Sequence, residues 1–327
     1  MAGLRVCVVT GATGFIGSHL AAALVRAGWY VRCPVRNPGR AHWLKTLPVE
    51  LVEADLTVPE SLDGLFEGAE VVFHLAGLTR AFRPEEFFRA NVTGTANLLR
   101  ALSRSGGSCR KLVFVSSLAA AGPSRPGVPR TEDDPPAPVS VYGKSKRLAE
   151  EQVMTACPVD WVILRPPIVY GPRDGESLLY FRVAKLGVRP VLCVERYFSL
   201  VYVADLVRAI MLAAEVGRPG AVYNVADPTP VSFRALAEGI GRVMGRSGPI
   251  LPAPGWAFRL AGRAADLVAR WRGRPMVFSY DKAVEMTAGD WVCDCRRAEA
   301  ELGFRAEVSF EQGLRKTYEW YRSAGWL

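Results

Sequence analysis

Short apolar runs that alternate with longer helical patterns occupy the first half of the chain. Between the first two runs, Ile16, Leu20 and Leu24 recur every four residues, and Gly28 stands where a helix ends. This alternation is typical of βαβ units around a parallel sheet, and it predicts an α/β fold whose strands are covered on both faces. The predicted strands are Leu4 to Thr10, Tyr30 to Val35, Val49 to Ala54, Val71 to Ala76, Lys111 to Ser116 and Trp161 to Arg165.

The pattern becomes less regular after about Pro166, where proline and glycine are frequent. Leu200 to Ala213 and Ala221 to Val225 are again apolar and are predicted to return to the sheet. A chain of 327 residues is long enough for about two domains. The predicted division is a first domain of residues 1–166 plus about 200–226, and a smaller, discontinuous C-terminal domain of about 167–199 and 227–327.

The charge distribution argues against a nucleic-acid-binding protein, and the cysteine content argues against a metal-binding one. The net charge of +9 comes from 41 basic and 32 acidic residues scattered over the chain, which favours a solvated surface over a nucleic-acid-binding face. The seven cysteines include Cys7, Cys33, Cys109 and Cys193 in apparent buried strands, and their spacing fits no usual zinc site, so we predict reduced thiols and no metal. The first apolar run is too short for a signal peptide, so we expect a cytoplasmic protein.

A glycine-rich turn follows the first predicted strand directly and opens the first predicted helix. In this context backbone N–H groups and a helix N-terminus converge on one point, which suits a pyrophosphate. The turn therefore predicts a Rossmann-type doubly wound parallel sheet that binds a dinucleotide, although its glycine spacing differs from the ordinary one. The predicted cofactor contacts in the turn are Gly11, Thr13, Gly14, Phe15, Ile16 and Gly17.

The second predicted strand ends in an arginine where NAD-selective sites usually have an acidic residue. That acidic residue binds the ribose 2′-hydroxyl. Arg36 stands there instead, with Arg32 shortly before it, and a guanidinium suits the 2′-phosphate of NADP. The sequence therefore favours NADP, with NAD as the open alternative.

A tyrosine and a lysine four residues apart form the candidate catalytic pair. Tyr142 and Lys146 share one face of a predicted helix. A cation near the phenol favours the phenolate and is expected to lower the tyrosine pKa by up to about three units, which would let Tyr142 exchange a proton with a carbinol or carbonyl oxygen. Ser117 ends the fifth predicted strand, where such sheets carry out chemistry. Asn91 opens another predicted helix, where, taken by itself, a simple N-cap is the favoured explanation.

Taken together, these motifs resemble the extended short-chain dehydrogenase/reductase family, which includes sugar-nucleotide epimerases and dehydratases, dihydroflavonol-type reductases and 3β-hydroxysteroid dehydrogenases. The resemblance covers nearly the whole chain. The matching segments are Thr10 to Gly17, Asp55-Leu56, His74 to Gly77, Asn91, Ser116-Ser117, Tyr142 to Lys146, Arg165-Pro166, Val203 to Leu206, Tyr223 to Val225 and Leu302 to Phe304.

The resemblance implies a role for each matching residue. Tyr142 would be the acid/base, Lys146 would hold the nicotinamide ribose and lower the tyrosine pKa, Ser117 would hydrogen-bond the reacting oxygen and Asn91 would support the site. It also implies hydride transfer at a nicotinamide, a small-molecule substrate and a homodimer formed through the helices of Asn91 and Tyr142. Further implied cofactor contacts are Asp55, Leu56, Leu75, Ala76, Gly77, Pro166 and Ile168.

Within this family the sequence is nearest to the dihydroflavonol and hydroxysteroid branch. Two arginines that clamp the diphosphate in the UDP-sugar epimerases are replaced by Phe198 and Thr287, although Arg196 or Arg173 are possible substitutes. Aromatic residues of the C-terminal region favour a mainly apolar alcohol or ketone. A sugar-nucleotide epimerase or dehydratase with tightly bound NAD stays as the alternative, and a catalytically silent cofactor sensor is a third class.

One segment carries a local concentration of charge. Trp256 to Arg274 is predicted to form a helix in which apolar residues share one face and five arginines supply basic charge. Such a helix suits either packing on the substrate-binding region or weak contact with a membrane surface.

Overall fold

The structure, a computed structural model, describes residues 5–246 and 248–327. Its strands are β1 (Val6–Thr10), β2 (Tyr30–Val35), β3 (Glu50–Glu53), β4 (Val71–His74), β5 (Lys111–Val115), β6 (Asp160–Arg165), β7 (Ile168–Tyr170), β8 (Arg189–Leu192), β9 (Tyr197–Phe198), β10 (Leu200–Tyr202), β11 (Ala221–Asn224), β12 (Val231–Ser232) and β13 (Ile250–Ala253).

Helices connect most of these strands. They are α1 (Phe15–Arg26), α2 (Pro84–Phe87), α3 (Gly94–Ser103), α4 (Leu118–Ala121), α5 (Val141–Ala156), α6 (Leu178–Lys185), α7 (Val203–Glu215), α8 (Phe233–Val243), α9 (Gly255–Arg272), α10 (Tyr280–Ala288), α11 (Arg296–Leu302) and α12 (Phe310–Ser323). No helix within the described residues is long and apolar enough to cross a membrane.

The central sheet confirms the predicted doubly wound α/β fold. Over the described ranges it has seven parallel strands in the order β11-β6-β5-β4-β1-β2-β3. The chain runs outward from β1 to β3 and then crosses back to β4, so the strand order reverses between β1 and β4. In open α/β sheets the crevice at such a reversal, beyond the carboxyl ends of the strands, is where ligands bind.

The sheet is covered on both faces because alternate side chains of each strand point to opposite sides. Along β5, Val113 and Val115 pack into one apolar core with α1 and α7, whereas Leu112 and Phe114 pack into the other with α3 and α5. This two-sided burial explains why the strands are continuous apolar runs.

The six predicted strands are all present, with ends that differ by at most two residues. Leu4 lies outside the described residues, and β4 stops at His74 because Leu75 to Gly77 turn out of the sheet. The prediction that residues 200–213 return to the central sheet is wrong in part. Leu200–Tyr202 pairs with β7 in a separate two-stranded sheet, and only Ala221–Asn224 joins the central sheet.

The remaining strands form small pairs outside the central sheet. These pairs are β7 with β10, β8 with β13 and β9 with β12. Cys193, predicted to lie in a buried strand, is exposed because β8 ends one residue before it. The two-domain division proposed from the sequence stays a prediction.

A buried ion pair fastens α5 to β6. Glu150 accepts two hydrogen bonds from the Arg165 guanidinium, at 2.8 and 2.7 Å, and both side chains are almost fully buried. A buried bidentate pair is destabilised strongly when one partner is removed, because the other charge is left uncompensated.

We expect Glu150→Gln to lower the free energy of unfolding by about 3–5 kcal/mol, since it leaves the Arg165 charge buried. The matched control is Glu151→Gln, whose carboxylate is 45% exposed and pairs only with Arg147; it should change stability by less than about 1 kcal/mol. Urea unfolding of both variants checks this, and equal midpoints would contradict it.

Candidate functional site

A cavity of about 610 Å³ lies at the strand-order reversal. It begins at the glycine turn, passes the ends of β4 and β5 and continues between α6 and α10. Every residue predicted to contact the cofactor lines it: Gly11, Thr13, Gly14, Phe15, Ile16, Gly17, Arg36, Asp55, Leu56, Leu75, Ala76, Gly77, Tyr142, Lys146, Pro166 and Ile168. Ser117 lines it as well, whereas Asn91 does not.

The glycine turn is shaped by close backbone approaches. Gly11 has φ +73°, and a Cβ there would lie 2.7 Å from the backbone nitrogen of Ala76. A Cβ on Gly17 would lie 2.2 Å from the carbonyl oxygen of Gly11. Side chains are thus excluded where the turn meets the loop after β4, and the N-terminus of α1 opens directly into the cavity.

One end of the cavity is formed by the loops after β2 and β3. Arg36 is exposed and lines the cavity there, as does Asp55, which accepts hydrogen bonds from the backbone and hydroxyl of Thr57 at 2.8 and 2.9 Å. Arg32 does not assist Arg36. Its guanidinium pairs with Glu50 at 2.8 Å and donates to the backbone carbonyls of Leu65 and Glu67.

The three predicted reacting side chains meet on one wall of the cavity. Ser117 follows β5 and its hydroxyl accepts a hydrogen bond from Ala119, whereas Tyr142 and Lys146 lie on the first two turns of α5. Lys146 is buried, donates to the carbonyl of Val115 at 2.9 Å and lies over the ring of Phe114.

The predicted lowering of the tyrosine pKa is wrong for this arrangement. Burial raises the pKa of the Tyr142 phenol, and interaction with the Ser117 side chain opposes this only in part. Burial lowers the pKa of Lys146 to about 8, although Glu150 acts in the opposite direction. The i,i+4 spacing puts the two groups on one face, but the ammonium turns toward the end of β5.

Asn91 supports the site from behind the cavity wall. It lies inside a π-helical turn, Phe88–Thr93, so it does not open a helix as the sequence suggested. Its side-chain oxygen accepts from the backbone of Leu78 at 2.7 Å, and its nitrogen donates to the Leu78 carbonyl and, at 2.8 Å, to the Ser145 hydroxyl. Asn91 therefore ties the loop after β4 to the helix that carries Tyr142.

The start of α5 is also held by the C-terminal half of the chain. Asp281 accepts the backbone N–H groups of Val141 and Tyr142 at 2.8 and 3.2 Å. Glu285 accepts the hydroxyl of Ser140, the N-cap residue of α5, at 2.6 Å. Asp281 thus accepts N–H groups that have no partner within the helix, and Glu285 orients the N-cap serine. Together they fix the turn that carries Tyr142.

The residues present fit a dinucleotide. Three observations carry the fit: the helix N-terminus that opens into the cavity, the side-chain-free approach at Gly11 and Gly17, and a buried Ser116 hydroxyl in the cavity wall with no hydrogen-bond partner among the described residues. Lys146 uses one of its three N–H groups on Val115, which leaves donors for ribose hydroxyls.

The far end of the cavity is mainly apolar. Its apolar wall comes from β9, the start of α8, α10 and the segments directly before and after α10. The apolar side chains are Phe198, Phe233, Val277, Phe278, Met286 and Trp291.

The epimerase arginine positions are filled by other contacts. Phe198 lies in the apolar wall, and Thr287 accepts a hydrogen bond from Arg259 at 2.9 Å outside the cavity. Neither possible substitute lines the cavity: Arg196 lies 3.8 Å from Asp290, and the Arg173 guanidinium stacks on Trp43.

A charged group missed by sequence reasoning lies beside the apolar wall. Lys282 pairs with Glu285 at 3.1 Å, and both line the cavity with Glu176 and Tyr180. Glu285 raises the pKa of Lys282, which is therefore a cation at neutral pH. The spacing of Lys282 and Glu285 is an ordinary i,i+3 helix pair, so only the packing of α10 against the cavity reveals it.

The remaining polar residues singled out in the sequence are structural. His74 bonds to Thr10 and Thr95 through its two ring nitrogens, and burial lowers its pKa to about 3. Within residues 5–246 and 248–327, no group of three or more metal-binding side chains is found.

Comparison with known proteins identifies the family. A model described as the NAD dependent epimerase/dehydratase family matches residues 7–226. The chain belongs to this family. The resemblance to the extended short-chain dehydrogenases/reductases is thereby confirmed.

Individual relatives span almost the whole chain. A ceramide reductase of Caulobacter vibrioides is 34% identical over 98% of this chain and 96% of its own. A 4-hydroxy-2-methyl-3-oxo-4-farnesyl-3,4-dihydroquinoline-1-oxide ketoreductase of Stigmatella aurantiaca is 29% identical over 94% and 93%. Among solved structures, MoeE5 in complex with UDP-glucose and NAD superimposes with a TM-score of 0.76 at 26% identity, over 97% of this chain and 99% of that one.

We expect Gly11→Ala to destabilise the protein by at least about 1 kcal/mol more than Gly28→Ala. Both glycines have positive φ, but a Cβ at Gly28 has nothing within 4 Å, whereas one at Gly11 meets the backbone of Leu75 and Ala76. Thermal unfolding of the two variants separates conformational strain from the close approach. Equal losses of stability would show that the approach at Gly11 is unimportant.

Proposed function

We propose that this protein is an NAD(P)-dependent oxidoreductase that interconverts a ketone and a secondary alcohol on a mainly apolar, long-chain lipid. The observation that carries the proposal is the composition of the cavity beyond Tyr142. Its wall combines aromatic and aliphatic side chains with the charged Lys282, Glu285 and Glu176. The family resemblance puts Phe198 where the UDP-sugar epimerases clamp a diphosphate. The relatives named as reductases of a ceramide and of a farnesyl-bearing ketone support a lipid with a long apolar chain.

In this proposal Tyr142 donates a proton to the oxygen of the ketone. A phenol whose pKa is raised by burial stays protonated at neutral pH, so it is ready to donate rather than to accept. Ser117 donates a hydrogen bond to the same oxygen, and Asn91 and Asp281 position the helix that carries Tyr142. Lys146 would bind the nicotinamide ribose, and the nicotinamide would supply or accept the hydride.

Lys282, which pairs with Glu285 beside the apolar wall, would set the orientation in which the substrate binds. The Lys282 ammonium donates hydrogen bonds to a hydroxyl or amide oxygen close to the ketone, while the chain of the lipid lies against Phe198, Phe233 and Trp291. A substrate with a polar head and an apolar tail matches this division of the cavity.

The cofactor proposal is a preference for NADP through Arg36. The family is NAD-dependent by name, and MoeE5 binds NAD, so NAD stays the alternative. The family resemblance also leads us to propose a homodimer through the helices of Asn91 and Tyr142.

We expect Tyr142→Phe to lower kcat at least about 100-fold with little change in cofactor affinity, because it removes only the proton donor. Tyr180→Phe is the matched control, since Tyr180 lines the same cavity outside the reacting group. Steady-state kinetics with a long-chain lipid ketone and a fluorescence titration with NADPH measure both quantities. Retained turnover in Tyr142→Phe would refute the assigned role.

We expect Arg36→Glu to weaken NADPH binding about tenfold or more while leaving NADH binding nearly unchanged, since a carboxylate repels the 2′-phosphate and suits a 2′-hydroxyl. Arg40→Glu is the control, because it changes the same charge at a nearby exposed position. Titration of both variants with the two cofactors checks this. An equal loss for NADPH and NADH would remove Arg36 from the proposal.

A further inference from the structure

Helix α9 has its side chains arranged in the opposite sense to a normal surface helix. Its buried residues are small, Gly262 and Ala269, and a Cβ on Gly262 would lie 2.8 Å from the carbonyl of Ser279. One large apolar residue, Phe258, packs against the core cluster of Met286 and Trp291, whereas the other five face outward. They are Trp256, 69% exposed, Leu260, 60%, Leu267, 66%, Val268, 41%, and Trp271, 87%.

Four of these five exposed residues form one stripe along α9. At about 100° per residue, Trp256, Leu260, Leu267 and Trp271 fall within about 60° of one another around the helix axis. Arg259, Arg263 and Arg270 occupy the adjacent sector of about 40°. An exposed apolar stripe of this kind marks an interaction surface, because isolated apolar residues do not align in this way.

The charge of the surface points to one occupant. Residues 255–274 contain five arginines and one acidic residue, Asp266, which accepts the backbone N–H of Tyr280 on the inner side. A tryptophan and leucine stripe beside a row of arginines is the pattern of a helix that lies in the interface of an anionic bilayer. An antiparallel two-fold contact with a second copy of the chain is disfavoured, since it would bring two arginine rows together.

The same helix is joined to the wall of the cavity. After its C-terminal Gly273, the chain passes through Val277 and Phe278, which line the cavity, and enters α10. Arg259 donates a hydrogen bond to the Thr287 hydroxyl, and Asp266 accepts the backbone N–H of Tyr280. These bonds join α9 to α10, which pack side by side. A bilayer against the outward face of α9 would therefore be separated from the apolar end of the cavity by the thickness of this helix, about 10 Å.

We propose that the outward face of α9 lies in the surface of a bilayer rich in anionic lipid, and that the substrate passes from that bilayer into the apolar end of the cavity. The second half of this statement rests on the proposed function. The first half does not, because it depends only on the exposed stripe and the arginines.

Vesicle flotation of the purified full chain tests the surface. We expect binding to phosphatidylglycerol-containing vesicles at low salt, weaker binding to phosphatidylcholine vesicles, and a loss of binding as salt is raised. The double variant Leu267→Gln, Trp271→Gln should bind at least about tenfold more weakly. Val216→Gln is the matched control, since Val216 is 56% exposed at the end of α7, away from α9.

A second set of variants tests the arginines. Changing Arg270, Arg272 and Arg274 to Gln should weaken binding and reduce its dependence on salt. Changing Arg26, Lys45 and Arg315 to Gln removes the same charge from other exposed positions and should have a smaller effect. Equal effects of the two sets, or failure of the unaltered chain to float with anionic vesicles, would overturn the proposal. A variant-dependent change in oligomeric state without vesicle binding would assign the face to a second copy.

Two substrates separate the surface from the chemistry. The double variant of α9 should turn over a short-chain, water-soluble ketone like the unaltered protein, but should lose kcat/KM for a long-chain ketone dissolved in anionic vesicles. Equal activity on the vesicle substrate would overturn entry from the bilayer. Vesicle binding without turnover of either ketone would instead contradict the proposed function and leave the surface proposal intact.

Discussion

A parallel sheet sends the carboxyl ends of all its strands to one edge, and the site is built on that constraint. The strand order reverses between β1 and β4, so the loops after these strands separate and leave a crevice. The glycine turn after β1, the loop after β4 and Ser117 after β5 then line one cavity, although together they span more than 100 residues of the chain. The cofactor end of the cavity follows from the sheet alone.

The reacting tyrosine depends on contacts that the sheet does not supply. The first turn of α5 is held by Asp281 and Glu285 from α10, and by Ser145, which receives a hydrogen bond from Asn91. Because Lys282 and Glu285 also face the cavity, α10 both lines the region proposed for the substrate and holds the turn that carries Tyr142. In the proposed function, this shared element would link substrate fit to the geometry of proton transfer.

Features of the structure that are encoded by neighbouring residues are predicted well from the sequence, whereas features formed by packing between distant segments are not. Tyr30–Val35 is predicted to the residue, and the glycine turn lies in the cavity as expected, because both are encoded within a few neighbouring positions. The role of Lys282 escapes prediction because its place in the site comes from packing between segments about 140 residues apart. The tyrosine pKa is mispredicted since the i,i+4 spacing gives the proximity of a cation but not the burial of the phenol.

The most direct test of the proposed reaction is the fate of deuterium carried at the reactive carbon of the reduced nicotinamide. The protein is incubated with the deuterated cofactor and a long-chain lipid ketone, and in parallel with a UDP-sugar, and the products are analysed by mass spectrometry. Our account predicts one deuterium on the new carbinol carbon of the lipid and an unaltered sugar nucleotide. An altered UDP-sugar with no consumption of cofactor, and no labelled alcohol, would contradict it.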